Sequence, residues 1–512
     1  MSRSGRSLAA NSGDREQVRS RTTPNAKGAR PLEWAGAGVF LAILTLYLGL
    51  IPLGQWQADE YDYFGRLKTG AWQAFIERLN WSPRPIGEML YLGYGLLANQ
   101  FRRPLTGWFL GLLWAGFLLC AALTALTTAD RARRLPTLMI GLMLAAACLT
   151  SGALSQVFYW PAGAVAYLTT LSATLLVSLQ VLDGRLSYRT GQTICCLALL
   201  VAALSSEMGA IFTACFALFY AAKTVKRWTR ASSDHMQTSW WLLPGAASLL
   251  VLLWVVTHRL PVSETEFALQ SPALHNPLQS AASAATKLVL EIAGWSSGMK
   301  HPASAVVNVM ARLCLAAGVA VLWRSSRTQP TSKELSPSRT LLPFVAVLLA
   351  ACFLSLFASY LHFGDAGGQR YETLRRGWIL MAYVALTVSF GAALPRRRRK
   401  GLELTPILLL AGVLLPWHVS PLVRQYSRYG DVLDAVKQTF ESGYAPGEEM
   451  IFVVPASGGV ITPATLASGT YTGTSQTPGS DYARYILRYF GKERLVVLGA
   501  EPRKPLTVQP AP

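Results

Sequence analysis

Long apolar stretches recur along this chain, and clusters of Arg and Lys punctuate them. That alternation constrains the fold more than any other feature, because a hydrocarbon core about 30 Å thick needs roughly 20 apolar residues per helix. Many stretches here approach or meet that length. Only 14% of the residues are charged and 52% are hydrophobic, against about 25% charged in soluble domains. The chain therefore reads as an all-α polytopic membrane protein. Its formal net charge of +20 would suit nucleic acid. In such a chain, however, the positions of Lys and Arg report topology first, and nucleic acid is not an expected partner.

Residues 1–31 read as a disordered, basic cytoplasmic arm, followed by a retained signal anchor over Leu32 to Gly54. Further basic clusters follow at "DRARR" (130–134), "DGRLSYR" (183–189), "KTVKRWTR" (223–230), "RSSRTQPTSKELSPSR" (324–339) and "PRRRRK" (395–400). Placing them all in the cytoplasm satisfies the positive-inside rule. It yields about 11 spans, near 32–54, 104–127, 135–152, 162–182, 192–205, 207–222, 240–257, 303–323, 340–360, 377–394 and 404–419. The N-terminus is then cytoplasmic and the C-terminus periplasmic, in a bacterial inner membrane. No internal repeat is visible, which argues against an inverted-repeat transporter. The seven cysteines lie in or beside apolar segments with no CxxC or Cys/His spacing, so they indicate neither zinc nor a disulfide framework.

Within the transmembrane region 32–419, the external loop from about 55 to 103 carries the acidic motif and two expected interfacial helices, 62–78 and 86–101. Residues 284–299 offer another such helix. Residues 420–512 change character: "GDVLDAVKQTFESG" and "SDYARYILRYFG" read as helices, "EEMIFVVP" and "KERLVVLG" as strands. They form a small α/β periplasmic appendage with a frayed, Pro-rich end.

Chemistry is expected among the ionisable residues of the outer face. "QWQADEYDYFGRLKTG" (55–70) supplies Asp59, Glu60, Asp62, Arg66 and Lys68, and Arg84 follows between Pro83 and Pro85. A carboxylate suits deprotonation of a hydroxyl. A guanidinium on a stiff corner suits a phosphate. The same reasoning draws in Arg370, Arg375 and Arg376 from "HFGDAGGQRYETLRRGW", read either as a mobile loop closing over the substrate's anionic headgroup or as a site for anionic phospholipid headgroups, with His258 at the end of the seventh span. Phe158, Tyr159 and Trp160 are read either as a platform for a sugar ring or as an interfacial aromatic belt. Glu207 is read either as facing a site or as an N-terminal helix acid after Ser205 and Ser206. Asp62 is read either as structural or, with Arg66 and Lys68, as a substrate contact.

The order of first span, "ADEYDYFG", amphipathic helix, "SPRPIGEMLYLGYGLLAN" and second span resembles the GT-C superfamily of membrane glycosyltransferases. "QVFYWPAGAVAYL", "SSEMGAIF" and "SDYARYILRYFG" look like a bacterial branch near the O-antigen glucosyltransferases. The resemblance implies inverting transfer of a sugar from a polyprenyl-phosphate donor to a glycan or lipid acceptor of the cell envelope, such as lipopolysaccharide. Asp59 or Glu60 would be the base and Arg84 the donor-phosphate contact. A divalent cation (Mg or Mn) held by Asp59 and Glu60 is the one cofactor it raises. The sequence departs from the family in lacking an acid over 151–163, where Glu207 is the residue available to take its place. Two other classes stay open: a lipid-linked glycan flippase or polymerase-like transporter, and a non-catalytic envelope assembly protein.

Overall fold

The computed structural model describes residues 41–128, 131–149, 154–228, 239–259, 275–296, 302–325, 338–393, 420–455, 459–461, 466–475 and 479–499. The basic arm over 1–31, the expected span 404–419 and the Pro-rich end from 501 lie outside these residues.

The described chain is mostly helical, with one small sheet. It opens with α1 (Leu41–Leu53), which bends by 51° into α2 (Ala58–Trp81). Then come α3 (Pro85–Phe101), α4 (Thr106–Thr127), α5 (Arg131–Cys148), α6 (Pro161–Leu182), α7 (Arg189–Ser205) and α8 (Glu207–Trp228). The bundle continues with α9 (Leu242–Trp254), α10 (Pro277–Ile292), α11 (Pro302–Ser325), α12 (Ser338–Phe363) and α13 (Gln369–Ala393). Last is α14 (Tyr429–Tyr444), then β1 (Glu449–Val454), β2 (Gly469–Thr472), α15 (Ser480–Phe490) and β3 (Arg494–Gly499).

Among the described residues, four helices are long and apolar enough to cross a bilayer: α4, α6, Pro302–Trp323 and Leu341–Phe363. Counting the bent α1–α2 pair as one makes five, fewer than the eleven expected. One expected span, 404–419, lies outside the described residues, and the rest of the difference has local causes. The segments read as spans 192–205, 207–222 and 240–257 form apolar helices of 10–17 residues, short of the roughly 20 a bilayer needs. α5 opens with Arg131, Arg133 and Arg134, and α13 carries Glu372, Arg375 and Arg376 in its first turns, so each keeps a shorter apolar stretch.

The two expected loop helices form as α2, which extends beyond the expected 62–78 at both ends, and α3, which starts one residue before the expected 86–101. A capping box starts α2: the Glu60 side chain accepts from the backbone N–H of Gln57, its N-cap, at 2.7 Å. Pro85 occupies the first position of α3, where its missing N–H costs nothing. The two helices pack closely, since a Cβ on Gly95 would lie 2.5 Å from the Phe64 ring.

The C-terminal elements form a three-stranded sheet in the order β1-β3-β2, β1 parallel and β2 antiparallel to β3. β2 was not expected from the sequence. Two β1 backbone amides are satisfied by side chains of α14: Ile451 N–H donates to Ser442 Oγ at 2.7 Å and Val453 N–H to Thr439 Oγ1 at 3.0 Å. This unit does not stand apart. Trp56, Tyr61 and Phe64 share one buried aromatic core with Phe440, Phe452 and Tyr489, while a second, larger core fills the helical bundle.

Candidate functional site

Two consecutive carboxylates on the first turn of α2 have opposite surroundings. Glu60 is fully buried. Its Oε2 accepts from Gln57 N–H and from Trp160 Nε1 at 2.9 Å, and its Oε1 accepts from Ala162 N–H at 3.0 Å. Burial first, then the neighbouring Asp59, push its carboxyl up to about 7, against the three donors that favour the charged form. Glu60 thus ties α2 to the segment before α6, where short π-helical turns flank Trp160 and Pro161. Trp160 lies between these turns, and its indole N–H donates to the carboxylate.

Asp59, by contrast, is about half exposed, and its nearest ion-pair partner is Arg78 at 3.9 Å. Arg78 is itself held by Glu88 at 2.6 Å and lies over the Tyr63 and Tyr91 rings. Asp59 therefore offers a carboxylate that is positioned but not consumed.

Arg84 forms a buried, two-pronged pair with Glu207, its Nε and Nη2 donating at 2.8–3.0 Å. The two residues are 123 positions apart in sequence. Glu207 begins α8 directly after Ser206, whose Oγ accepts from Gly209 N–H at 3.0 Å. Both readings of Glu207 thus hold at once: it is an N-terminal helix acid and it faces Arg84. The guanidinium expected to meet a phosphate already has a carboxylate.

Arg370 differs. Among the described residues it makes no ion pair, and its guanidinium lies 5.6–5.9 Å from the ring centroids of Trp160, Tyr167 and Tyr371. Its charged form is favoured most by Tyr167, against burial, with further support from Tyr371 and Asp59 and opposition from Arg84. Among the described residues, the buried Tyr167 hydroxyl has no hydrogen-bond partner. A cation over aromatic faces beside an unsatisfied hydroxyl makes a natural seat for an anionic oxygen.

The other sequence candidates fall elsewhere. Arg375 is fully buried and bonded to Glu291 at 2.8 Å, and Arg376 is bonded to Glu372 at 2.8 Å. These two arginines are not a free pair on a mobile loop: the α13 helix begins at Gln369 and carries them into the bundle. Tyr159 is buried and donates to Tyr47 O at 2.8 Å, so its hydroxyl is spent in the bundle core. His258 stacks on Trp254 at 4.1 Å. Asp62 pairs with Arg66 at 2.7 Å and Arg488 at 3.5 Å, and Lys68 lies 3.5 Å above the Tyr489 ring. Asp62 and Lys68 therefore link α2 to the C-terminal unit, while Arg66 pairs within α2 with Asp62 and Glu77. Both Glu60 oxygens already face N–H donors, a lining that suits an anion and opposes a cation. The Asp59–Glu60 pair does not fit a shared metal.

Sequence reasoning passed over Arg78, Glu88, Tyr167 and Tyr371. Tyr167 sits inside the quoted run "QVFYWPAGAVAYL", and only the three-dimensional approach of α13 distinguishes it from its aromatic neighbours. No protein-family model, curated protein or solved structure matches this chain.

Proposed function

We propose that this chain is an integral membrane glycosyltransferase of GT-C type, moving a sugar from a polyprenyl-phosphate donor to a cell-envelope glycan or lipid on the periplasmic face, with inversion. The observation that carries the reading is a half-exposed carboxylate, Asp59, within electrostatic reach of Arg370, a guanidinium among aromatic rings that makes no ion pair among the described residues.

In this mechanism the acceptor hydroxyl attacks the anomeric carbon while Asp59 takes its proton. The bond from that carbon to the phosphate oxygen breaks, and the polyprenyl phosphate leaves with the electron pair. Arg370 and the Tyr167 hydroxyl stabilise the charge that gathers on the departing phosphate. A phosphate leaving group needs no second carboxylic acid to protonate it, unlike a glycosidic oxygen. Glu60 positions the loop, and the Arg84–Glu207 pair fixes the floor beneath Tyr167.

The test is in vitro transfer from a defined polyprenyl-phosphate sugar by purified protein. Asp59→Asn is expected to lower kcat by roughly 100-fold or more. Arg370→Gln is expected to lower it by about 100-fold, with both variants folded. Full activity in either would sink the assignment. A flippase-like reading draws support from the Glu291–Arg375 pair buried within the bundle, since such charges mark pathways. It predicts lipid-linked sugar crossing proteoliposomes without any new glycosidic bond.

A further inference from the structure

A cavity opens at the seam between the helical bundle and the C-terminal unit. Its walls come from the link between α1 and α2, the first turn of α2, the start of α4, α14 and β1. Trp56, Tyr61, Phe440 and Phe452 supply aromatic surface, while Gln55, Thr439 and the Tyr61 hydroxyl supply polar groups. Among the described residues, no charged side chain lines it.

These polar groups are costly where they stand. Gln55 is 7% exposed, and Tyr61 and Thr439 are 3% exposed each. Among the described residues, the Gln55 side-chain amide and the Tyr61 hydroxyl make no hydrogen bond, and Thr439 Oγ1 only accepts, from Val453 N–H at 3.0 Å. An amide or hydroxyl withdrawn from water without a partner destabilises a fold. Such groups in a native structure call for a water or a ligand. Trp56 differs: its Nε1 is satisfied by Tyr94 Oη at 2.7 Å, so it offers the cavity only its ring.

The space open to water centres is about 30 Å³, room for about two water molecules. It takes a substituent of a few heavy atoms, not a whole sugar ring. A carboxylate, phosphate or ammonium would meet no opposite charge there. A primary amide both donates and accepts, and a hydroxyl does the same, so another amide answers them well. The four rings call for an apolar group beside it. Two waters would satisfy the amide and the hydroxyls but would lie against those aromatic faces.

We infer that this cavity binds the acetamido group of an N-acetylated amino sugar. The methyl lies among the rings, the carbonyl accepts from Tyr61 Oη or the Gln55 amide, and the N–H donates to Gln55 Oε1. The choice of a sugar as bearer rests on the transferase reading, whereas the preference for an uncharged amide does not.

Saturation-transfer NMR on full-length protein in nanodiscs tests it, with N-acetylglucosamine, glucose and N-acetylglycinamide as probes. In wild type the acetamido methyl of N-acetylglucosamine is expected to take the strongest saturation. Gln55→Met removes the amide at similar length, and Tyr61→Phe removes only the hydroxyl. Each should weaken N-acetylglucosamine binding about tenfold and leave glucose unchanged. Neither should lower the unfolding temperature, since neither group has a partner in the protein to lose. Unchanged N-acetylglucosamine binding in both variants would overturn the site. No saturation in wild type would leave the cavity to water, and equal weakening of glucose would remove the acetamido assignment. Stronger saturation of N-acetylglycinamide than of the sugar would assign the cavity to a peptide and overturn the proposal. Should Gln55→Met misfold, Tyr61→Phe decides. The readout is binding without turnover, so failure here leaves Asp59 and Arg370 standing, and an inactive transferase leaves this cavity standing.

Discussion

Glu60 and Asp59 are neighbours in sequence with different work. Because burial raises the Glu60 carboxyl from its ordinary 4.5 to about 7, its contribution to folding is most favourable below about pH 4.5 and is lost as pH rises through 7. Across that window the loss amounts to about 3 kcal/mol. Glu60→Gln removes the titration but also one of two acceptor oxygens, so Ala162 N–H or the Gln57–Trp160 donor pair goes unmet, at a cost of about 1–3 kcal/mol. Thermal unfolding of the wild type is therefore expected to weaken between pH 5 and 8, with a flatter profile in Glu60→Gln. Parallel profiles would show that Glu60 does not titrate in that range. Arg84 requires a different treatment. Arg84→Ala leaves Glu207 buried without its bidentate partner and should destabilise by about 3–5 kcal/mol, whereas Arg84→Met with Glu207→Leu should cost less. Denaturation of the two variants measures the difference, and equal losses would show that the pair is not coupled. An inactive Arg84→Ala would accordingly say little about phosphate binding, which is why Arg370 carries the functional test.

At the level of elements, Trp56 is the joint between the loop helices and the C-terminal unit. Its ring meets Tyr61, Phe64, Tyr94, Phe440 and Tyr489 edge-on at 5.0–6.4 Å, and its Nε1 donates to Tyr94 Oη at 2.7 Å. Trp56→Ala should cost about 3–5 kcal/mol and make the α14–α15 region sensitive to protease. A variant as resistant as wild type would show that the two parts hold together without it. The sequence was informative wherever an element carries its own signal. Pro85 marks the start of α3 and the amphipathic run 480–490 marks α15, whereas the pattern began α2 at 62, four residues after its true start at Ala58. It was uninformative where the signal lies far along the chain. Gly469–Thr472 has only Tyr471 facing the core, so β2 is set by its pairing with β3 and not by its own residues. The roles of Glu60 and Arg375 depend on Trp160 and Glu291, 100 and 84 residues away. The count of eleven spans included runs that form helices of only 10–17 residues and one run, 404–419, that lies outside the described residues.

Over the whole molecule, the helix ends sort into two groups. Asp183, at the end of α6, bonds Arg133 and Arg185 and accepts from Thr128 at the end of α4. Trp323 of α11 donates to Leu182 O at the same place. The basic clusters "DRARR" and "DGRLSYR" therefore gather at one end of the bundle. At the other end, Tyr94 of α3 approaches Thr106 at the start of α4, and a Cβ on Gly87 would lie 3.4 Å from Ser205 O at the end of α7. The C-terminal unit packs there, through α15 on α2. With positive charge retained in the cytoplasm, residues 185 and 430 should lie on opposite sides of the membrane. A reporter that works only in the periplasm is expected to be active when fused after residue 430 and silent after residue 185. If both fusions were active, or both silent, the two ends of the bundle would share one compartment. The acidic group on α2 would then lose the external face that its proposed chemistry requires.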